Sequence, residues 1–273
     1  MPLAVCATPI GNLDDVTLRV LEELRAADVV LCEDTRHTRV LLDRHGIDAR
    51  LLSYHEHNEA KRTTELVPRL REGARIALVS DAGMPGISDP GARLVAAALA
   101  EGLPVTVLPG PSAVETALVA SGVEAERFQF LGFLPRRERA LARLWDELGA
   151  WPHAVVAFES PQRLPATLRS LARAEPERFV AVCRELTKRF EEVVGGSAAE
   201  VADRFAEPPK GEITLVLGPR GEGGADAGVA VAAAAAAEAV AELVAAGASR
   251  GRAAEVVSRL TGVARNELYR RTL

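Results

Sequence analysis

Residues 75–109 read RIALVSDAGMPGISDPGARLVAAALAEGLPVTVLP, and this stretch decides the fold. Arg75–Asp81 is an apolar run of strand length without polar alternation, the mark of a strand buried on both faces. Pro90–Glu101 has the spacing and charged face of a helix, and Gly102-Leu103-Pro104 stops it. Pro104–Pro109 then reads as a second strand. Strand, helix and strand in such short order describe a parallel crossover. Between the first strand and the helix lies Ser80–Gly91, a loop far richer in Gly, Pro and Asp than a turn requires.

The pattern extends in both directions. Leu3–Ile10 and Ala27–Asp34 read as further strands, with helices over Val16–Ala26, Arg36–Arg44 and Ala60–Glu72. Downstream, Phe128–Leu134, His153–Glu159, Phe179–Glu185 and Glu212–Leu217 read as strands, with helices over Arg137–Gly149, Pro161–Ala174 and Ala198–Phe205. The expected class is α/β with two α/β domains, the first built on a mostly parallel sheet and spanning residues 1–117, the second spanning 118–219. Gly218–Gly228 has linker composition. Residues 229–273 form a helical extension: an alanine-rich helix, then two short helices about Thr261-Gly262-Val263, similar to a helix-turn-helix.

Composition bounds the function. With 273 residues, 48% of them hydrophobic, the chain can bury a sizeable core. Its 33 basic and 38 acidic residues give a net charge of −5, which by itself argues against a nucleic-acid partner. Only Lys61, Lys188 and Lys210 are lysines, the other basic residues being arginine. Cys6, Cys32 and Cys183 are isolated, which favours a reducing compartment over a disulfide scaffold or a zinc site. The N-terminus has no signal-peptide pattern, and the longest apolar run, Val229–Ala237, is too short to span a membrane. A cytoplasmic protein without a metal is expected.

Four loops of one chemical kind follow the first-domain strands: Ala7–Asn12, Glu33–Thr38, Ser80–Gly91 and Pro109–Ala113. All fall at the C-terminal strand ends, where open α/β sheets bind ligands. Their glycines let backbone approach a ligand closely. No GxxxxGK[ST], no GxGxxG after the first strand and no HExxH is present, so nucleotide-phosphate, ordinary dinucleotide and zinc-protease sites are unsupported. His55 and His57, in SYHEHNE, read as a polar surface or substrate loop rather than as metal ligands.

Together the segments TPIGNLDDVTLR (8–19), CEDTRHTRVLL (32–42), SYHEHNE (53–59), SDAGMPGISDPG (80–91), LPGPSA (108–113), GFLPR (132–136), FESPQR (158–163), RELTKRFEE (184–192) and KGEITLV (210–216) resemble the tetrapyrrole methylase superfamily. Within it they resemble the 16S rRNA cytidine 2′-O-methyltransferase family, and RNELYR (265–270) resembles that family's C-terminal extension. Met84 stands where the family usually has threonine, and Arg136 where lysine is common.

The resemblance implies S-adenosylmethionine held between two α/β domains, a homodimer, and methylation of the ribose 2′-hydroxyl of a decoding-site cytidine in 16S rRNA of the small ribosomal subunit. Carried over residue by residue, the cofactor positions are Asp81, Ala82, Gly83, Ile87, Ser88, Ser112, Ala113, Phe158, Glu159, Gly211, Glu212 and Ile213, with Pro9 beneath the methyl group. The alternative is a tetrapyrrole or other small-molecule methyltransferase of the same superfamily.

A 2′-hydroxyl is a weak acid, so transfer needs a base or a stabilising cation. Candidates at the strand ends are Glu33, Asp34, His37, His55, Glu159, Glu185 and Lys188. CEDTR packs both charge signs at one strand end, so Glu33 or Asp34 is expected to handle the hydroxyl, with Arg36 and Arg184 on phosphate. Charge placement adds RNA candidates. Arg136, Arg137, Arg139 and Arg143 face only Glu138 over 134–145, and the tail concentrates Arg250, Arg252, Arg259, Arg265, Arg270 and Arg271. With Lys188, these make Arg136, Arg137, Arg139, Arg184, Arg250 and Arg252 the expected RNA contacts.

Overall fold

The computed structural model describes residues 2–220, 236–261, 263 and 268–269. Five strands form the first sheet: β1 (Leu3–Cys6), β2 (Val29–Cys32), β3 (Leu51–Ser53), β4 (Ile76–Leu78) and β5 (Val105–Leu108), in the order β3-β2-β4-β1-β5. Every pairing is parallel, so the expected parallel character holds throughout the sheet. The helices α1 (Leu18–Ala26), α2 (Thr35–Arg44), α3 (Glu59–Arg71) and α4 (Ala92–Ala100) cover it.

The strands read as unbroken apolar runs because both of their faces are buried. Ala4, Cys6, Val30, Cys32 and Ala77 pack with Val20 and Leu24 of α1 and Leu42 of α2. Their neighbours Leu3, Val5, Leu31, Ile76 and Leu78 pack on the other side with Leu66 and Leu70 of α3 and Leu94 of α4. Cys6, Cys32 and Cys183 are free and buried.

The helix α5 (Ala113–Ala120) follows. The expected division at residue 117 falls inside it. Its Val114 and Ala117 pack with Val156, Ala181 and Val216, which places this helix with the second sheet.

That sheet comprises β6 (Phe128–Phe133), β7 (Ala154–Glu159), β8 (Phe179–Arg184), β9 (Glu192–Ser197) and β10 (Ile213–Leu217), ordered β6-β7-β10-β8-β9. Only β6 and β7 are parallel; β7–β10, β10–β8 and β8–β9 are antiparallel. The register pairs Ile213 with both Glu159 and Arg184, and Arg184 with Glu192. The end of β7, the start of β10, the end of β8 and the start of β9 therefore share one edge. The helices α6 (Glu138–Leu148), α7 (Leu164–Ala174) and α8 (Ala198–Arg204) cover the face away from α5, around Trp145.

Residues 236–245 (α9) and Arg250–Thr261 (α10) are helical, and Ala236, Val240, Ala253, Ala254, Val257 and Leu268 form a small core of their own. Residues 221–228 of the expected linker, the start of the alanine-rich helix, and Arg265, Arg270 and Arg271 lie outside the described residues.

Candidate functional site

Ile10, in the loop after β1, belongs to the core of the second sheet with Leu186 and Cys183. The loops at the C-terminal end of the first sheet thus meet a face of the second, and a cleft of about 620 Å³ opens between them. That volume suits a drug-sized ligand.

Two loops are tied together at its floor. The Thr8 N–H donates to the Gly83 carbonyl at 2.8 Å, and the Gly83 N–H donates back to Thr8 at 3.0 Å. The Thr8 hydroxyl donates to the Ser80 carbonyl at 3.0 Å. Gly83 has φ of 75°, and Ser88, which lines the cleft, has φ of 64°. A serine in the left-handed region is held there by its surroundings, as at many ligand sites.

Every position expected to touch the cofactor lines this cleft, except Pro9, which is buried. Asp89, expected with Asp81 as a hydrogen-bond acceptor of this loop, lines it as well, and the cleft also takes in Ile10, Phe130, Cys183 and Leu186, which the sequence did not mark as site residues. Ile10 and Leu186 lie inside the TPIGN and RELTK segments, so the segments carried the signal without the residues. Phe130 and Phe133 meet the Phe158 ring edge-to-face, at 4.9 and 5.6 Å, which makes one wall apolar. Met84 lines the cleft too, and it packs against the core of the first sheet. The side chain that replaces the family's threonine is thus partly spent on packing.

A second, polar pocket of about 510 Å³ is lined by Glu33, Asp34, Thr35, Arg36, Ser53, His55, Glu56 and His57. Asp81 lines both cavities. The three expected catalytic residues meet here, and they divide into a pair and a free group. Asp34 caps α2: its carboxylate accepts from the Arg36 N–H at 2.8 Å, from Arg36 Nε at 3.1 Å and from Arg36 Nη2 at 2.7 Å. These bonds hold its carboxyl well below the usual carboxylate range. Glu33 goes the other way, pushed up by burial and then by the charges of Asp81 and Glu56.

Asp89 is pushed up to about 6, chiefly by burial and then by Glu33. Its folded value lies above the ordinary 3.8, so the folded state holds this proton more tightly than the unfolded chain does. The stability that this proton confers is full in acid and is lost as pH rises through 6. Asp89→Asn is therefore expected to unfold later than the parent chain at pH 7.5, by on the order of 1–2 kcal/mol. That advantage should vanish by pH 4, and thermal melts across this range check it.

Several other expected contacts have partners within the fold. Glu159 is buried, taking Arg163 at 2.5 Å, the Thr167 hydroxyl at 2.5 Å and the Ser160 N–H at 2.6 Å. Arg184 pairs with Glu192 at 3.0 Å and donates to the Lys210 carbonyl at 3.2 Å. Lys188 bridges Glu185 and Glu212, both at 2.9 Å. Arg252 pairs with Glu255, and Arg250 has a buried Nε. Arg184 and Lys188 are thus largely enclosed by carboxylates, whereas Arg252 stays mostly exposed beside Glu255. Arg136, Arg137 and Arg139 are exposed, in the segment that follows the cleft-lining Phe133. Among the described residues no group of three or more His, Cys, Asp or Glu is placed to hold a metal, and no helix is long and apolar enough to cross a membrane.

Residues 2–202 match the Tetrapyrrole (Corrin/Porphyrin) Methylases family. The ribosomal RNA small subunit methyltransferase I of Mesorhizobium japonicum is 46% identical over 99% of this chain and 91% of its own length. The protein of the same name from Synechocystis sp. is 40% identical over 99% of this chain and 97% of its own. Among solved structures, the uroporphyrin-III C-methyl transferase of Thermus thermophilus complexed with S-adenyl homocysteine superposes with a TM-score of 0.56 at 20% identity, over 79% of this chain and 96% of that one. At that identity the likeness is one of fold. Sequence likeness to the rRNA enzymes is far higher and runs nearly end to end, so the chain belongs to the tetrapyrrole methylase family and, within it, to the ribosomal RNA small subunit methyltransferase I family of methyltransferases.

Proposed function

We propose that the chain, acting in the cytoplasm, transfers the methyl group of S-adenosylmethionine to the ribose 2′-hydroxyl of a decoding-site cytidine in 16S rRNA of the small ribosomal subunit. One observation carries this reading: the cleft of cofactor size and the polar pocket lined by Glu33–Arg36 adjoin, and Asp81 belongs to both.

The cleft suits the methyl donor chemically. Its apolar wall of Phe130, Phe158 and Ile213 faces the Gly- and Ser-bearing loops, and Asp81 and Asp89 supply negative charge for a sulfonium. When bound, S-adenosylmethionine supplies an electrophilic methyl carbon. The residues of this chain do the rest. The paired loops after β1 and β4 fix the geometry, and alignment of that kind contributes several kcal/mol. Glu33 takes the proton of the hydroxyl, while Asp34 and Arg36 hold each other and the start of α2. Arg136, Arg137 and Arg139 meet phosphate at the rim, which reconciles an acidic chain with an RNA substrate. A second copy completes a homodimer, for which the edge strand β5 and α5 offer the exposed Val107 and Val119.

The test is incubation of the chain with labelled S-adenosylmethionine and small ribosomal subunits lacking the modification, followed by location of the label. Label on a decoding-site ribose is the expected result. Label on a base, or transfer only to a tetrapyrrole, overturns the reading.

A further inference from the structure

Lys188 does not meet RNA: we propose that Lys188, with Glu185 and Thr187, is a positioning device that staples both halves of the cofactor cleft together. The inference rests on the reading of the cleft as the methyl-donor site.

The segment 185–188 touches both sides. Toward the second sheet, Lys188 Nζ bridges Glu185 Oε1 and Glu212 Oε2, each at 2.9 Å. Glu185 Oε1 also accepts from the Glu212 N–H at 3.0 Å, and the Glu185 N–H donates to the Glu212 carbonyl at 3.0 Å. Gly211 completes the fit. Its φ is 97°, and a Cβ there would lie 2.4 Å from Glu185 Cγ. The loop 211–213 that lines the cleft is thus clamped from below.

Toward the first sheet, the Thr187 hydroxyl accepts from the Asn12 N–H at 3.0 Å. A Cβ on Gly11 would lie 2.5 Å from Lys188 Cγ and 2.8 Å from the Leu186 carbonyl. Only glycine permits this approach.

The backbone reports the constraint. Glu185 and Thr187 have φ of 53° and 64°. For a β-branched threonine that is a true outlier, which persists only where surrounding contacts impose it. Between these two residues sits Leu186, buried and lining the cleft. The strained turn thus presents Leu186 while gripping loops from both halves.

The experiment uses the full chain with Lys188→Met, Lys188→Arg and Gly11→Ala. S-adenosylmethionine affinity is measured by calorimetry, subunit binding as a function of salt, and unfolding by melts. Lys188→Met and Gly11→Ala are expected to weaken S-adenosylmethionine binding about tenfold at temperatures well below their melts. Lys188→Arg, which can fork onto both carboxylates, should stay within about threefold of the parent. The salt dependence of subunit binding should not change. A Lys188→Met chain with parental S-adenosylmethionine affinity and a flatter salt dependence overturns the staple and returns Lys188 to RNA. A parent chain that binds no S-adenosylmethionine overturns the reading of the cleft, and the staple with it.

Discussion

Glu33→Gln is expected to lower the turnover of methyl transfer by roughly two to four orders of magnitude, the range for losing a general base. S-adenosylmethionine affinity should stay within about twofold, because Glu33 lines the polar pocket and not the cleft. Glutamine keeps the shape and removes only the ability to take a proton. Burial and the neighbouring Asp81 and Glu56 raise the proton affinity of Glu33 above that of an ordinary carboxylate, which suits a base. The acid limb of the parent's kcat/KM profile should therefore lie above the ordinary carboxylate range, and the variant should lack it. Loss of folding cannot mimic the result, since removing one carboxylate from this acidic group relieves repulsion. Asp89 supplies an internal check: Glu33 is the leading charge that raises it, so its titration should fall back toward 3.8 in the variant. Near-parental turnover in Glu33→Gln would return the role to another group of the pocket.

Asp34→Ala makes the contrast. Asp34 was as good a candidate as Glu33 while only the order CEDTR was known. In the fold, its oxygens are spent on the α2 cap and on Arg36. Adjacent residues of one motif thus separate by which way each side chain turns at the end of β2, and no linear pattern carries that. The same holds for Lys188 and Arg184, whose carboxylate partners Glu212 and Glu192 come from other strands or loops.

The parallel sheet was legible because strands buried on both faces leave an unmistakable apolar run. β3 was not, since Leu51–Ser53 is a three-residue edge strand that is only half-buried. β9 escaped for another reason. Glu192–Ser197 carries Gly195 and Gly196, and glycine in a strand usually argues against one. Here Gly195 makes room for Phe179, whose ring a Cβ would approach at 2.7 Å. α5 was hidden by its setting: it starts directly from a ligand-type loop and packs into a core, so it shows no broad polar face. The antiparallel directions in the second sheet had no local signature, because reversing a strand leaves its apolar pattern intact. The cleft lining, by contrast, was legible in two ways: the loops after the first-sheet strands stood out by composition, and the individual positions, including Phe158, Glu159 and Gly211–Ile213 at the second sheet, came from the resemblance to the family.

Arg75→Met is expected to cost about 3 kcal/mol of stability, lowering the melting temperature by roughly 10 °C. Glu23 lies in α1 and is buried. Arg75 meets it with a two-pronged contact, Nε to Oε1 at 2.7 Å and Nη2 to Oε2 at 2.6 Å. This contact holds the Glu23 carboxyl below its ordinary range. A depressed value means that the pair stabilises the fold above the unfolded carboxylate's range and loses that contribution as pH falls. Methionine fills the arginine stem's volume and leaves Glu23 buried without its cation. Burial is then no longer offset by Arg75 and drives the Glu23 proton affinity up, so the variant's deficit should be largest at neutral pH and shrink in acid. The double variant Glu23→Gln, Arg75→Met separates charge from packing. If the cost is an orphaned charge, the double variant regains most of the lost stability, because a neutral pair in this position carries no uncompensated carboxylate. If the double variant is no more stable than Arg75→Met, the cost lies in the lost packing of the arginine stem at the start of β4.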